Sequence, residues 1–389
     1  MELKYSIDEN RSFPLTIISG VPADSMVLSF DENLDEIADF LEVLNRRTEL
    51  LDEKYIKMKK CLSLSSPDLF YALPQTSVRK TLQKVEKVLR IALEDKENRE
   101  YLVTYLTIKR FLRGLSAPLV DQKTLTSVVN NTEHENVASR IKAFAPTDKG
   151  FAPKTSYSMT GTVTGRLSVS GGPQILTLNS TARKIFKSRY NNGSILQIDL
   201  VAAEPNIALK LSGRNHKVKG GDVYSFLSQE VFNSNVSRDI CKLITLSVLY
   251  GQSSKNLEKR LPKDMSAARV IRSTRDFFDV DNLERMLRKK VLSSNLRNIF
   301  GRPINLRLEE TRLCLNYYLQ SSAAELSILL FSEWLKDHQE NVVPLYVIHD
   351  ALIVDCSQSV TKSLLSKEVI SLRLGDWSFE AKISKLSDT

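Results

Sequence analysis

The sequence predicts an α+β protein in which a long helical block is inserted between strands of one β core. Three observations predict it. Amphipathic, basic helical patterns fill roughly the first 150 residues. A strand-like apolar run covers Ser194 to Leu200, and two β-rich runs, YVIH and LIVD, lie near the C-terminus between Leu345 and Asp355. Helical patterns dominate the interval from about Pro205 to Phe300.

Taken in order, Phe40, Leu44, Leu51, Tyr55 and Met58 recur at near-helical spacing and predict a helix over about 39–62. Val78, Leu82, Val85, Leu89 and Ala92 predict a second one. It carries Arg79, Lys80, Lys84, Lys87 and Arg90, which reads either as a solvated face or as one that contacts phosphates. A third helix, Leu102 to Leu115, ends in Lys109, Arg110 and Arg113 before Gly114, placing cations at the negative end of its dipole. After Ala152-Pro153 the chain turns Ser-, Thr- and Gly-rich up to Ser180. Ser237 to Gly251 then reads as a helix with a Ser N-cap and a C-terminal Gly.

The 389 residues give ample material for a core, and 42% hydrophobic with 26% charged residues is a globular balance. No run of 18 apolar residues exists to form a membrane span. Lys and Arg number 55 against 46 Asp and Glu, and the net charge of +9 favours a polyanionic partner such as nucleic acid. Cys61, Cys241, Cys314 and Cys356 form no CxxC pair, and His134, His216, His338 and His349 show no metal-ligand spacing, so any metal is expected on carboxylates. Glu2, Asp8 and Glu9 are unlike a secretory or transit leader. The expected place is intracellular: the cytoplasm or nucleoid of a host cell, with phage, plasmid and organelle origins all compatible.

Two acids stand out. Asp199 ends an apolar strand, where a turn or cap is the ordinary role, and Glu204-Pro205 follow at a natural helix opening. Asp350 sits at the tip of the YVIH and LIVD hairpin, again an ordinary turn position. If the strands are neighbours, the two carboxylates converge into a hard-oxygen site suited to Mg²⁺ and to two-metal phosphoryl transfer. Along the helix 237–251, Arg238, Lys242, Leu246 and Tyr250 recur every four residues and form one stripe. This is either an exposed basic stripe ending in a core Tyr, or two cations for a triphosphate with a ring for the base or template.

These segments resemble family A DNA polymerases of the bacterial polymerase I type. DLVAAE, with Asp199 and Glu204, is similar to motif A; RDICKLITLSVLYG, with Arg238, Lys242 and Tyr250, is similar to motif B; and His349-Asp350-Ala351 is similar to motif C. TGRLS at Thr164 to Ser168, FGRP at Phe300 to Pro303, and the Arg312, Asn316, Gln320 series followed by SSAAE also agree, in the family's order. The resemblance runs from about residue 155 to the C-terminus.

It implies a right-hand polymerase fold with an antiparallel β-sheet palm, helical fingers and a helical thumb. The implied boundaries are a mainly helical region and thumb over 1–150, palm over 151–213, fingers over 214–305 and palm again over 306–389. It implies a template-directed DNA polymerase that adds dNTPs to a primer 3′ end. Asp199 and Asp350 would ligate two Mg²⁺ ions, with Mn²⁺ as an alternative, and Lys242 would act as an acid toward pyrophosphate. Arg238 and Lys242 would bind the triphosphate, while Glu204, Leu246 and Tyr250 would form the nucleotide pocket. Arg166, Arg312, Asn316, Gln320 and His349 would touch primer and template. The implied partners are primed template DNA and dNTPs, with a processivity or replisome protein as a further candidate and no membrane.

Ala351 stands in place of the family's Glu in motif C, Leu246 in place of the aromatic in motif B, Leu200 in place of Tyr after Asp199, and Tyr224 where His is common. Too few residues precede Thr164 for both a thumb and the family's proofreading exonuclease, so none is expected; Phe30-Asp31-Glu32 faintly resembles an exonuclease acid motif but reads as a solvated acidic loop. The alternatives are a single-subunit RNA polymerase-like enzyme, and a catalytically weak DNA-binding subunit that keeps the fold.

Overall fold

The computed structural model describes residues 3–7, 14–18, 26–45, 75–147, 149–215, 218, 222–232, 236–263 and 265–386. The chain forms two compact units, Met1–Lys109 with Ile299–Pro303, and Arg110–Asn298 with Ile304–Thr389.

The first unit opens with strands β1 (Leu3–Ile7), β2 (Pro14–Ile18) and β3 (Met26–Ser29), paired antiparallel in that order. The region expected to be mainly helical thus begins with a small sheet, whose four- and five-residue strands are too short for period counting to detect. Helix α1 (Phe30–Val43) follows, so Phe30-Asp31-Glu32 opens a helix and not a loop; the side chains of Asp31 and Glu32 lie outside the described residues. Of the helix expected over 39–62, residues 46–62 also lie outside them. Helices α2 (Gln75–Ala92) and α3 (Lys96–Gly114) come next. Phe40, Tyr101 and Tyr105 pack together, one pair stacked and two tilted, with ring centroids 5.5 to 6.1 Å apart, a buried aromatic cluster of the kind that anchors a small core. In the FGRP segment Gly301 has φ +92°, and a Cβ there would stand 3.3 Å from that of Tyr101, so the segment requires glycine. Beside it, Arg302 donates to the Tyr101 hydroxyl at 3.0 Å.

The second unit holds β4 (Leu119–Val120), α4 (Gln122–Asn130), α5 (Glu135–Lys142), β5 (Ser156–Ser158), β6 (Ser168–Gly171) and β7 (Phe186–Lys187). Then come β8 (Ser194–Leu200), α6 (Ala203–Leu211), α7 (Val223–Phe226), α8 (Arg238–Leu249), α9 (Ser254–Glu258), α10 (Ala267–Phe278) and α11 (Val280–Leu292). Finally α12 (Cys314–Lys336), β9 (Val342–Ile348), β10 (Ala351–Cys356), α13 (Gln358–Leu365), β11 (Val369–Leu374) and β12 (Trp377–Lys385) complete the chain. Among the described residues no helix is long and apolar enough to cross a membrane.

The second unit is organised by one five-stranded antiparallel sheet in the order β11-β12-β8-β10-β9. On β8, Leu196, Ile198 and Leu200 are buried while Gln197 and Asp199 alternate onto the other face. The neighbouring strand β10 is buried along its whole length. Its Asp355, 1% exposed, accepts hydrogen bonds from the Ser188 hydroxyl, the Arg189 backbone N–H and the Arg189 Nε, so a buried charge is fully partnered. Helix α12, largely buried, packs on α6 and β11. The helical block 203–313 is therefore spliced between two strands of one sheet, as its periodicity predicts.

Candidate active site

Asp199 lies opposite Ala351 in the β8–β10 register, and the Leu200 N–H donates to the Asp350 carbonyl at 3.1 Å. These pairings bring Asp199 beside the two-residue turn His349-Asp350 that joins β9 to β10. The turn closes with His349 at φ +55°, the positive first central residue of a tight hairpin, held without the glycine that usually takes it. After β8, Ala202 likewise adopts φ +50° and directs the chain into α6, whose first turn carries Glu204. Left-handed non-glycine residues thus flank both acids, a local strain that the surrounding sheet sustains.

On α8, Ser237 caps the helix by accepting from the Ile240 N–H, and Tyr250 and Gly251 end it, with Gly251 at φ +67°. Its stripe faces the sheet. One cleft is lined by Asp199, Glu204, Tyr224, Arg238, Lys242, Leu246, Asp350 and Lys382. An adjoining cleft shares Glu204 and Asp350 and is lined by Arg166, Gln320 and His349.

Glu204 Oε1 accepts from Arg166 at 2.9 Å and from the Tyr250 hydroxyl at 2.9 Å. Burial nevertheless raises its pKa, against the pull of the Arg166 charge and the Tyr250 hydrogen bond. Tyr250 therefore reaches the site through Glu204. Asn316 reaches it through Gln320, which donates to its side-chain oxygen at 2.6 Å. Arg312 is placed apart from the other expected residues, in a groove with Gly251, Gln252, Arg275, Glu284 and Arg288.

Asp199 is pushed up to about 6, first by desolvation and next by the neighbouring Asp350 charge, with Lys242, Gln197 and Lys382 acting in the opposite sense. Asp199, ionised at a cost beside a second hard-oxygen carboxylate, belongs to a donor set of the kind that suits a divalent cation. No group of three or more His, Cys, Asp or Glu side chains is placed to hold a metal among the described residues.

Arg238 is not a bare cation. Its Nε and Nη2 meet Asp222 at 2.6 and 3.1 Å, and its guanidinium lies over the Tyr224 ring at 5.3 Å. Asp222 also caps α7 through the Ser225 N–H and hydroxyl. Burial opposes its ionisation, but the Arg238 and Ser225 hydrogen bonds hold its carboxyl below the usual range. Asp222, Lys382 and Gln197 were not singled out by sequence. Asp-x-x-Ser at 222–225 carries a helix-cap signal that locates Asp222 but not its partner. Lys382 carries no local signal at all.

The family profile described as DNA polymerase family A matches residues 78–373. A DNA polymerase of Bacillus phage SP01 is 22% identical over an alignment covering 61% of this chain and 30% of that protein. The chain thus spans under a third of the length of that curated relative. Among solved structures, the POL domain of Pol1 from M. smegmatis, in complex with DNA primer-template and dNTP, matches with a TM-score of 0.50 at 18% identity. The match covers 75% of this chain and 64% of that one, and likeness at this identity speaks for fold.

Proposed function

Since the chain belongs to DNA polymerase family A and has its right-hand α+β fold, we propose that it is a template-directed DNA polymerase extending a primer with dNTPs. The observation that carries this reading is one cleft lined by Asp199, Asp350, both α8 cations and Glu204, drawn from stretches far apart in sequence. In this reading residues 151–213 and 306–389 are palm, 214–305 fingers, and the thumb lies within 1–150.

The reaction joins the primer 3′-oxygen, its hydroxyl proton passing to solvent water, to the α-phosphorus and breaks the bond from that phosphorus to the bridging oxygen, releasing pyrophosphate. Asp199 and Asp350 would hold divalent ions, Mg²⁺ or Mn²⁺, which when bound would supply charge stabilisation to the transition state. Lys242 and Arg238 bind the triphosphate, and the Lys242 ammonium stands ready to give a proton to the departing pyrophosphate. Glu204, braced by Tyr250, and Leu246 border the sugar. Arg166, Gln320 and His349, lining the adjoining cleft, face primer and template, with Asn316 steadying Gln320; Arg312 meets the template from its separate groove. Primed DNA is the partner, held largely through phosphates by a basic chain.

Purified chain with primed template, dNTPs and Mg²⁺ is expected to extend the primer, and rNTPs are expected to be poor substitutes. Asp199→Ala and Asp350→Ala are expected to abolish extension while primed-DNA binding stays within a few-fold. Robust extension by either variant, or preference for rNTPs, overturns the reading.

A further inference from the structure

Lys382 belongs to none of the segments that carry the family resemblance, yet it lines the same cleft as Asp199, Arg238 and Lys242. Its place is fixed by sheet register. On β12, Phe379, Ala381 and Ile383 are buried in the core, so Lys382 alternates onto the opposite face and is exposed there. Lys382 is the direct cross-strand partner of Asp199, and Ala351 is the partner of Asp199 on the other side. Directly paired residues of antiparallel strands share a face with Cβ atoms roughly 4.5 to 5.5 Å apart. A row Lys382, Asp199, Ala351 therefore runs across three strands, with a cation on one flank of the acid and a small apolar residue on the other.

The two clefts give this row a direction. Arg166, Gln320 and His349 line the cleft on the hairpin side, the side expected to take primer and template. Lys382 lines the other, with both α8 cations. A nucleotide whose α-phosphate sits over the acids and whose sugar lies by Glu204 must send its remaining phosphates away from the hairpin, toward Arg238, Lys242 and Lys382. Lys382 thus approaches from the sheet the same polyanion that α8 approaches from above. An ammonium on a flexible stem suits phosphate as a point charge.

We infer that Lys382 is a third phosphate-binding residue, contacting the β- and γ-phosphates of the incoming nucleotide and the pyrophosphate that leaves. The inference rests on the polymerase reading for its substrate.

The test compares wild type with Lys382→Met, Lys382→Gln and Lys382→Arg. It reads KM and kcat for dNTP on primed DNA, inhibition by inorganic pyrophosphate, and equilibrium binding of dNTP to the full chain without DNA. A lost charge-assisted contact predicts KM raised about 10-fold or more in Met and Gln, with pyrophosphate inhibition weakened in parallel and Arg restoring both. The change in kcat is expected to be smaller than that in KM. Unchanged KM and pyrophosphate inhibition in both neutral variants overturns the inference, as does a shift confined to the Mg²⁺ requirement, which marks Lys382 as a partner of the acids only. If the wild type does not extend primers, the polymerase reading fails, and equal dNTP binding by wild type and neutral variants then sinks Lys382 separately.

Discussion

The Tyr250 hydroxyl donates to Glu204 Oε1 at 2.9 Å, tying the C-terminal end of one helix to the first turn of another across the proposed sugar pocket. Arg166 holds the same oxygen from a third direction. Both hydrogen bonds must be given up before the carboxylate can yield to an added hydroxyl. Glu204→Ala is expected to raise ribonucleotide relative to deoxyribonucleotide insertion by roughly one to three orders of magnitude, since an unbraced pocket rejects an added hydroxyl only weakly. Tyr250→Phe, which removes only the brace, is expected to move the same ratio by less. Single-nucleotide insertion of matched dNTP and rNTP pairs measures both.

Asp199 makes an opposite demand on stability. Its folded pKa of about 6 lies above the ordinary carboxylate value of 3.8, so the folded state binds the extra proton between those pH values. In metal-free buffer its contribution is unfavourable in full above pH 6 and vanishes as pH falls toward 4. Asp199→Asn is expected to be inactive yet more stable than wild type at pH 7 by on the order of 1–3 kcal/mol, with the gap closing by about pH 4. Chemical denaturation at the two pH values, in the presence of a chelator, checks the sign.

Leu246 lines the cleft where the family resemblance implies an aromatic beside the nucleotide sugar. Leucine has no hydroxyl to take the place of a missing 3′-hydroxyl. Wild type is expected to discriminate against dideoxynucleotides and Leu246→Tyr to relax that discrimination. Chain-termination ratios read it directly, and an unchanged ratio would show that residue 246 does not face the sugar.

Asp222 is expected to act through Arg238. Asp222→Asn keeps an acceptor for the Ser225 N–H but surrenders the charged bridge, so KM for dNTP should rise about 10-fold, the weight of a charge-assisted hydrogen bond, with a smaller change in kcat. In an Arg238→Ala background the same substitution should add nothing further. Additive losses in the double variant would mean that Asp222 works independently of the guanidinium.

Much of this site was legible because its pieces are local. A strand ending in Asp199, a helix opening at Glu204-Pro205, a Ser237 cap and a hairpin at Asp350 each follow from turn and cap chemistry within a few residues. Whether the strands are neighbours depends on pairing, which the sequence left conditional and β8–β10 supplies. Lys382 was invisible for the same reason, since a Lys in the alternating run of β12 looks like any solvated strand residue until its register with Asp199 is known. The Asp222–Arg238 bridge escaped because the cap explains Asp222 by itself. Arg312 and Gln320 share a helical spacing in sequence, but Arg312 sits in the 3₁₀ turn Leu308–Leu313 and Gln320 within α12, and the change of helix type separates them.

The splice of the helical block into the central strand pair also sets when activity can first arise. Asp199 and Asp350 are separated by about 150 residues of chain, and β8 and β10 can zip only after that loop closes, an entropically costly and slow event. Helices of the block can form early, from short-range contacts, without any carboxylate pair existing. Recovered activity is therefore expected to track the slowest refolding phase, with helical signal returning ahead of it.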